Sequence, residues 1–248
     1  MLSPAVPKPA QGSEPEVDFN VDRLDADEQT LLDFYLQIQL REDMLAPLAE
    51  HHTTGGAHSF YVLFDRTAIW APGVPQYVAV HLRRHHEKRT FDFEHAELPL
   101  PSLAQSWLIH RGCPADAIGL NPQLGPPPAD EATRALEQRL AGDGDHYALG
   151  YSYTRDDPDD PVIVVALRAL DGRANPAFRV VVDEVDTGAW THTLREGGFA
   201  TVEEALQWCE DRLTGMAGPL PPVRPATPAT RAVLPPTASV PRPPGKSR

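Results

Sequence analysis

The stretch YVAVHLRRHHEKRTFDFE, residues 77–94, decides the expected fold of this chain. Residues 77–82 and 90–94 are rich in β-branched and aromatic side chains, and the polar segment 83–89 separates them. Two such runs joined by a polar turn are typical of a β-hairpin. Residues 59–64, SFYVLF, have the same composition and precede the hairpin. The sequence therefore predicts an antiparallel sheet in this part of the chain.

A short helix is expected directly after the hairpin. Within residues 102–111, Leu103 and Trp107 recur at helical spacing. Gly112 follows, and Pro114 comes two residues later, which is typical of the end of a helix. Trp107 would then anchor this helix on the predicted sheet.

A longer helix is expected before the sheet. Asp25 is the predicted N-cap, because Glu28 three residues later completes a pattern that resembles a capping box. Pro47 is expected to end the helix near residue 45. The apolar positions in between form a wide stripe: Leu31, Leu32, Phe34, Tyr35, Leu36, Ile38, Leu40, Met44 and Leu45. So wide a stripe requires burial on more than one side.

The second half of the chain repeats this order of elements. Residues 120–130, LNPQLGPPPAD, contain four prolines and one glycine, which is typical of a linker. Asp130 is expected to cap a helix that ends near residue 141, and Thr201 with Glu204 to cap a final helix. The strands expected between these helices cover residues 147–155, 162–170, 178–185 and 189–194.

A comparison of the two halves at an offset of 101 residues indicates an internal duplication. Six of the 37 positions from Pro75 to Arg111 are identical, whereas unrelated sequences would share roughly two or three. Three identities fall on the predicted helices: Ala104, Trp107 and Arg111 match Ala205, Trp208 and Arg212. The hypothesis is a pair of related modules, each with a tryptophan-anchored helix. The alternative is that any helix on a sheet favours an aromatic anchor.

These patterns predict an α+β protein with antiparallel sheets and packed helices, in two tandem modules of an α–β(3–4)–α type with disordered termini. We expect a disordered N-terminus over residues 1–18, module 1 over 19–119, a proline-rich linker over 120–129, module 2 over 130–216 and a disordered basic tail over 217–248. Residues 218–248 contain ten prolines, which remove backbone donors and prevent a helix or sheet core.

Composition disfavours several classes of protein. The net charge of −13 disfavours general binders of nucleic acid or anionic membranes, because these need a positive field. No apolar run approaches the roughly 20 residues of a membrane span, and no secretory signal is visible. The two cysteines are typical of reduced thiols in a cytoplasmic protein, although one disulfide is conceivable. After Arg212 the chain has five basic and no acidic residues, so a basic tail follows an acidic body.

Histidine is the residue type that most indicates chemistry. Seven of the ten histidines lie between His51 and His95, and neutral imidazole is a common zinc ligand. His81 and His95 are the candidates for a metal site, because they lie on the two arms of the hairpin. The alternative is that these histidines are solvated turn residues, since their spacing matches no known site. Asp183, Glu184 and Asp186 end a strand and could include a pair of carboxylates for acid–base chemistry, but the sequence does not select one. The alternative is that these carboxylates have no catalytic role.

The turn over residues 83–89 is the one dense basic patch in the acidic body. Arg83, Arg84 and Arg89 are the candidates for nucleic-acid contact, because Phe91 and Phe93 on the next strand could stack on bases. The alternative is that both phenylalanines belong to the buried face beneath the helices.

The leading functional hypothesis is a non-catalytic cytoplasmic interaction protein without a cofactor. Its partner would be an unknown protein or a second copy in a homodimer, bound in part by the first helix if its second apolar stripe stays exposed. The alternatives are a nucleic-acid-binding protein that uses the basic hairpin and a hydrolase with a histidine or carboxylate site. No membrane partner is expected.

Three structural observations would discriminate these hypotheses. A deep pocket lined by His81, His95 or Asp183 would favour the hydrolase. A contiguous positive face would favour nucleic-acid binding, and an exposed apolar patch would favour a protein partner.

Overall fold

The computed structural model describes residues 17–67, 74–155, 161–170 and 176–223. The first half comprises helix α1 (Glu28–Gln37), a 3-10 helix (Gln39–Met44), strands β1 (Leu45–His52), β2 (His58–Asp65), β3 (Tyr77–His85) and β4 (Thr90–Leu98), and helix α2 (Pro101–Ile109). The second half comprises helix α3 (Glu131–Asp143), a 3-10 helix (Gly144–His146), strands β5 (Tyr147–Arg155), β6 (Val162–Ala169), β7 (Phe178–Asp186) and β8 (Thr191–Phe199), and helix α4 (Val202–Leu213).

Each half forms its own four-stranded antiparallel sheet. The strands lie in chain order, β1-β2-β3-β4 in the first sheet and β5-β6-β7-β8 in the second. The predicted α+β class with antiparallel sheets and packed helices is therefore confirmed. None of the helices in the described part of the chain is both long and apolar enough to cross a bilayer.

The two sheets share the register of their second hairpin. Tyr77 pairs with Leu98 between β3 and β4, and Phe178 pairs with Phe199 between β7 and β8. An offset of 101 residues therefore carries one hairpin onto the other, as the sequence comparison predicted. The last turn residue of each hairpin, Arg89 in the first and Trp190 in the second, also lies in the left-handed region with a φ of 54°.

The first strand of each sheet carries a bulge at the same place. In the pairing of β1 with β2 the register shifts between Pro47 and Ala49, and in the pairing of β5 with β6 it shifts between Leu149 and Tyr151. A bulge depends on local backbone geometry and is a specific feature of a strand pair. Its recurrence supports two related modules over the alternative of a shared preference for aromatic anchors.

The helices that open the two modules begin in the same way. Asp27 caps α1 by accepting a hydrogen bond from the backbone N–H of Thr30, and Asp130 caps α3 by accepting one from Thr133. Both helices therefore start with an Asp-Glu-x-Thr pattern. The offset here is 103 residues, two more than between the hairpins.

The layers follow the order α1, first sheet, α2 with α3, second sheet, α4. Phe34 and Ile38 of α1 join one core cluster with one face of the first sheet, while Ala104 and Leu108 of α2 join another on the opposite face. Leu103 of α2 belongs to the cluster between α3 and the second sheet, and α4 packs on the far face of that sheet. The two modules therefore meet through α2 and α3.

Trp107 and Trp208 occupy corresponding places in α2 and α4. Each is half-buried at the edge of the cluster between its helix and its sheet. The guanidinium of Arg111 lies 3.5 Å above the ring of Trp107, and Nε1 of Trp208 donates a hydrogen bond to the carbonyl of Gly218 at 3.0 Å. Smaller side chains reach the centre of each interface between helix and sheet. Ala104 and Ala205, three residues before the two tryptophans, are fully buried.

The first helix is shorter than its apolar pattern predicts. Its N-cap is Asp27 instead of Asp25, it ends at Gln37, and a 3-10 helix follows. Residues 45–52, which the sequence analysis did not assign to a strand, form β1. Pro47 is tolerated there because β1 is an edge strand and the proline borders a bulge, where no ladder hydrogen bond is lost.

The folded part of the chain begins earlier and continues later than predicted. Val17 is 2% exposed and packs beneath α1 with Phe19. Residues 217–223, assigned above to the tail, run beside β8, where the backbone N–H of Gly198 donates to the carbonyl of Pro221 at 3.0 Å. The expectation of disorder for residues 1–16 and 224–248 concerns residues outside the described ranges, and the domain boundaries stay a prediction.

The segment between the modules is paired with the second sheet. The backbone N–H of His192 donates to the carbonyl of Pro127 at 3.0 Å, and that of Ala129 donates to the carbonyl of His192 at 2.8 Å. At its other end, the backbone N–H of Asn121 donates to the carbonyl of Leu48 in β1 at 2.9 Å. The proline-rich segment of residues 120–128 therefore lies against both modules.

Candidate functional site

The outer face of α1 and the 3-10 helix after it expose a group of large apolar side chains. Five large side chains are between 42% and 57% exposed: Leu31, Leu32, Tyr35, Leu36 and Leu40. The first four form two adjacent columns on the solvent side of α1, and Leu40 lies in the 3-10 helix that follows. We refer to these five residues as the α1 face. The second stripe of the first helix therefore stays exposed.

The second module shows what covers the equivalent helix. α3 is enclosed by its own sheet on one side and by α2 on the other, with Leu103 of α2 in the shared core. The approach is close, because a Cβ on Gly144 would lie 2.7 Å from Cδ2 of Leu103. α1 has the same place in the first module, and no described residue covers its outer face in this way.

At the opposite end of the molecule, the outer face of α4 is polar and charged. At the offset of 101 residues, Glu204 of α4 replaces Leu103 of α2, and α4 also exposes Glu203, Gln207 and Glu210. Polar outer faces of this kind are needed to end a stack of repeated modules in water. α4 has such an end face, whereas the α1 face is apolar, so the two ends of the molecule differ in chemistry.

The surroundings of the α1 face are acidic. Residues 22–43 contain seven acidic and two basic residues. One of the two, Arg41, is engaged with Asp65 at 2.6 Å and with Glu97 at 2.8 Å. The α1 face is therefore an apolar patch with a negative rim.

A second feature is a cleft of about 900 Å³ between the modules. We call it the inter-module cleft. Residues of both sheets, of α2 and α3 and of the segment 120–128 line it, including Tyr77, Ile109, Leu124 and Trp190. Asp183 and His192 also line it, so one of the three strand-end carboxylates lies in a pocket, while His81 and His95 do not line it.

His192 is held between two carboxylates at the wall of the cleft. Its Nδ1 lies 2.8 Å from Asp183 and its Nε2 lies 3.1 Å from Glu137 of α3. Burial opposes the charge on the ring, but the two hydrogen bonds outweigh it and raise the pKa of His192 to about 10. The imidazolium is therefore protonated at neutral pH and has no free nitrogen to accept a proton, so it cannot act as a general base.

Sequence reasoning missed His192 and Glu137. The hairpin register places His192 diagonally across from Asp183 on the same face of the second sheet, and this part was available from the strand pattern. The contribution of Glu137 depends on how α3 packs against that sheet, for which the sequence carries no signal. Of the other two strand-end carboxylates, Asp186 accepts hydrogen bonds from the backbone N–H groups of Gly188 and Ala189 in the hairpin turn. Glu184 accepts a hydrogen bond from Arg212 of α4.

The two histidines proposed for a metal site do not meet. His81 pairs with Glu94 and Val80 pairs with His95, so His81 and His95 lie on opposite faces of the first sheet. His81 instead lies with its Nε2 3.0 Å from Nδ1 of His58. Among the described residues, no group of three or more histidine, cysteine or acidic side chains could hold a metal ion.

Burial makes His81 sensitive to acid. Its ring stacks on Phe60 with centroids 4.4 Å apart, its Nδ1 has no hydrogen-bond partner, and burial and the charge of Arg83 lower its pKa to about 4. The unfolded chain therefore binds a proton there at a pH where the folded protein does not, so stability falls as the pH drops below 6.5.

Replacing His81 with phenylalanine is expected to reduce this acid sensitivity. Between about pH 6.5 and about pH 5 the wild type should lose on the order of 1–2 kcal/mol more than His81→Phe, measured by urea unfolding. The exposed His86, changed to glutamine, is the control and should follow the wild type. An identical loss in wild type and His81→Phe would contradict the assignment.

The three candidate arginines of the basic hairpin all make contacts within the protein. Arg83 donates to Asp92 and, at 2.7 Å, to Glu94. Arg84 is 8% exposed and donates to Ser59 at 2.7 Å and to backbone carbonyls of Gly56 and Phe19. These contacts make Arg84 a buried structural residue. Arg89 adopts a positive φ and donates to the backbone carbonyl of Arg23 at 3.5 Å.

The two phenylalanines beside the hairpin belong to the core. Phe91 and Phe93 lie with ring centroids 5.3 and 5.1 Å from Phe34 of α1. The interpretation as a buried face beneath the helix is therefore the one that the geometry supports, and the rings are not a stacking platform in solvent.

Both cysteines are buried free thiols in separate clusters. Burial raises the pKa of Cys113 to about 11 and that of Cys209 to about 12, so neither is a thiolate at neutral pH. The acidic run over residues 156–160 lies outside the described residues.

No protein-family model matches this chain, and no curated protein or solved structure matches it either. The function is therefore argued from the geometry of the α1 face and the inter-module cleft.

Proposed function

We propose that the protein is a non-catalytic interaction protein that binds an amphipathic helix of a partner protein on the α1 face. The observation that carries the proposal is the exposure of five large apolar side chains at 42–57% each, four on α1 and one, Leu40, on the 3-10 helix that follows it. Contiguous exposed apolar patches on soluble proteins mark interaction sites more often than single exposed leucines do. The two buried free thiols favour the cytoplasm as the place of action.

The second module supports a helix as the partner element. There, a helix that opens a module is packed on its outer side by another helix, α2. A helix from another protein laid along α1 would bury the α1 face as α2 buries the outer side of α3. Recognition of an amphipathic helix along an apolar surface is a recurrent binding mode.

The charge around the α1 face selects the partner. With seven acidic and two basic residues over positions 22–43, the rim is complementary to a helix whose apolar stripe is flanked by lysine or arginine. A second copy of this chain is the less favourable occupant, because pairing of two α1 faces would bring two acidic rims together. Pairing of α1 with α4 of another copy meets the same repulsion and an exposed acidic surface.

The chemistry of the other candidate sites supports a binding role over catalysis. His192 is an imidazolium locked by two carboxylates, and both thiols are buried and protonated. Arg83 and Arg84 donate hydrogen bonds to Glu94 and Ser59 of the protein itself. These contacts favour a protein partner over nucleic acid, because they occupy donors that would otherwise bind phosphate.

The double substitution Leu32→Glu with Leu36→Glu is expected to abolish partner binding without unfolding the protein. Both side chains are nearly half exposed, so their replacement should change stability by less than about 0.5 kcal/mol. The probe is a fluorescent amphipathic helical peptide with a leucine stripe and lysine flanks, followed by anisotropy. The double variant should bind it at least about tenfold more weakly than the wild type.

Two controls test the chemistry of the interaction. Leu170→Glu places the same charge on a leucine that is 66% exposed elsewhere and should leave binding unchanged. A peptide with the same stripe and glutamate flanks should bind poorly. Equal binding of both peptides, or unaltered binding by the double variant, contradicts the proposal. A dimer in sedimentation that the double variant dissociates would assign the α1 face to a second copy.

A further inference from the structure

We propose that a site between β8 and α4 recognises Leu-Pro-Pro segments, and that two such segments of this chain exchange in it. The first motif, residues 220–222, occupies the site in the described structure, where Leu220 packs on the cluster between α4 and the second sheet. The second motif is residues 234–236. The site lies at the opposite end of the molecule from the α1 face, so this inference goes beyond the proposed function and does not depend on it.

Two donors of the site bind backbone carbonyls of the segment that contains the first motif. Nε1 of Trp208 in α4 donates to the carbonyl of Gly218 at 3.0 Å. The backbone N–H of Gly198 in the edge strand β8 donates to the carbonyl of Pro221 at 3.0 Å. Proline-rich segments favour a polyproline II helix, which has no internal hydrogen bonds and so leaves its carbonyls available. Docking of such segments beside aromatic rings is a recurrent binding mode.

A glycine in β8 makes room for the leucine of the motif. A Cβ on Gly197 would lie 2.7 Å from Cδ2 of Leu220, 3.1 Å from its Cβ and 3.1 Å from the carbonyl oxygen of Pro221. Glycine weakens a strand, and in a strand interior it often marks a place where another backbone approaches closely. Gly197 therefore shapes the surface on which the first motif lies. We refer to Gly197, Gly198 and Trp208 as the Leu-Pro-Pro site.

The corresponding places in the first module are built differently. At the offset of 101 residues, Ala96 and Glu97 stand where β8 has its two consecutive glycines. Trp107, the counterpart of Trp208, is covered by the guanidinium of Arg111, which lies 3.5 Å above its ring. The Leu-Pro-Pro site is therefore a feature of the second module and does not follow from the shared fold alone.

The second motif offers the site the same side chains. Residues 220–223 read LPPV, and residues 234–237, fourteen positions later, read LPPT. Valine and threonine are both branched at Cβ and have nearly the same shape. A surface that accepts the first motif therefore also fits the second, which belongs to the part of the chain outside the described ranges.

Charge near the site favours the second motif. Ala217, three residues before the first motif, lies at the end of α4, where its backbone N–H donates to the carbonyl of Asp211 at 3.1 Å. Arg231 has the same place relative to the second motif. A helix C-terminus carries partial negative charge, and the last turn of α4 adds Glu210 and Asp211. The basic residue of that turn, Arg212, already donates to a carboxylate of β7.

The test measures binding of a fluorescent peptide of residues 230–239, which contains the second motif, to the full chain by anisotropy. In the double variant Leu220→Asp with Leu234→Asp, neither motif of the chain competes for the site. It should bind the peptide at least about tenfold more tightly than the wild type, because a tethered segment competes at an effective concentration on the order of millimolar. Leu220→Asp alone keeps the second motif and should bind the peptide at least about threefold more weakly than the double variant.

Two substitutions added to the double variant test the site itself. Gly197→Val places a side chain where Leu220 packs and should weaken peptide binding at least about tenfold. Trp208→Phe keeps an aromatic ring and removes the N–H donor, so binding should weaken about threefold to tenfold. The control is Gly150→Val on the other edge strand, where a Cβ would meet the carbonyl oxygen of Ala166 at 3.4 Å. It should leave binding unchanged, and circular dichroism checks the fold of each variant.

Several results would overturn the proposal. The first is that the double variant does not bind the peptide up to about 1 mM. The second is that neither Gly197→Val nor Trp208→Phe weakens binding. The third is equal binding by Leu220→Asp and the double variant, which would show that the second motif does not compete within its own chain. A dimer of Leu220→Asp that Leu234→Asp dissociates in sedimentation would also overturn exchange within one chain. All of these results leave the peptide experiment on the α1 face unaffected.

Discussion

Phe34→Ala is expected to lower the free energy of unfolding by about 3–5 kcal/mol, a large part of the ~5–15 kcal/mol that holds a typical domain together. Phe34 is 2% exposed and is the side chain by which α1 enters the core. Its ring lies edge-on to three others, with centroids 5.7 Å from Phe19, 5.3 Å from Phe91 and 5.1 Å from Phe93. Removing it leaves a cavity among rings that come from two other segments, the N-terminal residues and β4.

The neighbouring Tyr35 provides the matched control for this substitution. It lies on the same helix but is 48% exposed, so Tyr35→Ala should change stability by less than about 0.5 kcal/mol. Urea unfolding followed by circular dichroism measures both variants. Similar losses for Phe34→Ala and Tyr35→Ala would show that α1 does not anchor through Phe34 and would also remove the basis for an exposed α1 face.

His192→Gln is expected to destabilise the protein by about 3–5 kcal/mol, because it leaves two carboxylates facing each other without the cation that holds them. His192 is 7% exposed, and Asp183 is 8% exposed. Adding Asp183→Asn and Glu137→Gln to His192→Gln should restore part of the loss, since much of it comes from uncompensated charge. His85→Gln is the control, because His85 binds Asp92 on an exposed turn where an ion pair contributes about 0–1 kcal/mol.

The same substitution is expected to change the response to alkaline pH. The folded protein holds a proton on His192 with a pKa of about 10, whereas the ring in the unfolded chain titrates near 6.5. The contribution of His192 to the free energy of unfolding is therefore complete below pH 6.5 and is lost as the pH rises towards 10. Unfolding midpoints measured at several pH values should fall over this range in the wild type and stay nearly level in His192→Gln. A parallel fall in both proteins would contradict the role of His192.

His81 and His192 together shape the pH dependence of stability. Acid acts through His81, whose pKa is lowered by burial, and base acts through His192, whose pKa is raised by two carboxylates. The two effects have opposite signs and both begin near the ordinary pKa of histidine. The stability of the wild type should therefore be highest near pH 6.5.

Prediction from the sequence succeeded where the signal is local. The valine-rich run of residues 178–185 placed β7 to within one residue, and Asp130 and Thr201 cap the helices that they were expected to cap. It failed where two local signals compete. The apolar run from Leu40 to Leu45 continues the helical spacing of α1, but Pro47 and the pairing with β2 draw Leu45 into an edge strand.

The candidate sites were only partly accessible to the same reasoning. The wide stripe of the first helix was expected to be buried on more than one side, but Phe34 and Ile38 alone pack α1 on the sheet, and the α1 face stays exposed among the described residues. The expectation that His81 and His95 meet was wrong because a shift of one residue in strand register moves a side chain to the opposite face. The inter-module cleft was not predicted at all.

Local residue patterns specify most helices and strands, their order in the chain and the similarity of the two halves. Strand composition, helix caps and turn residues each depend only on a few neighbouring positions. The shared hairpin register of the two modules and their Asp-Glu-x-Thr helix starts are of this kind. Three features depend on tertiary packing instead. α2 covers α3 while the outer face of α1 is exposed, Glu137 reaches His192, and a cleft lies between the modules. These contacts join segments far apart in the chain, and their existence depends on how whole helices and sheets pack, which no local pattern encodes.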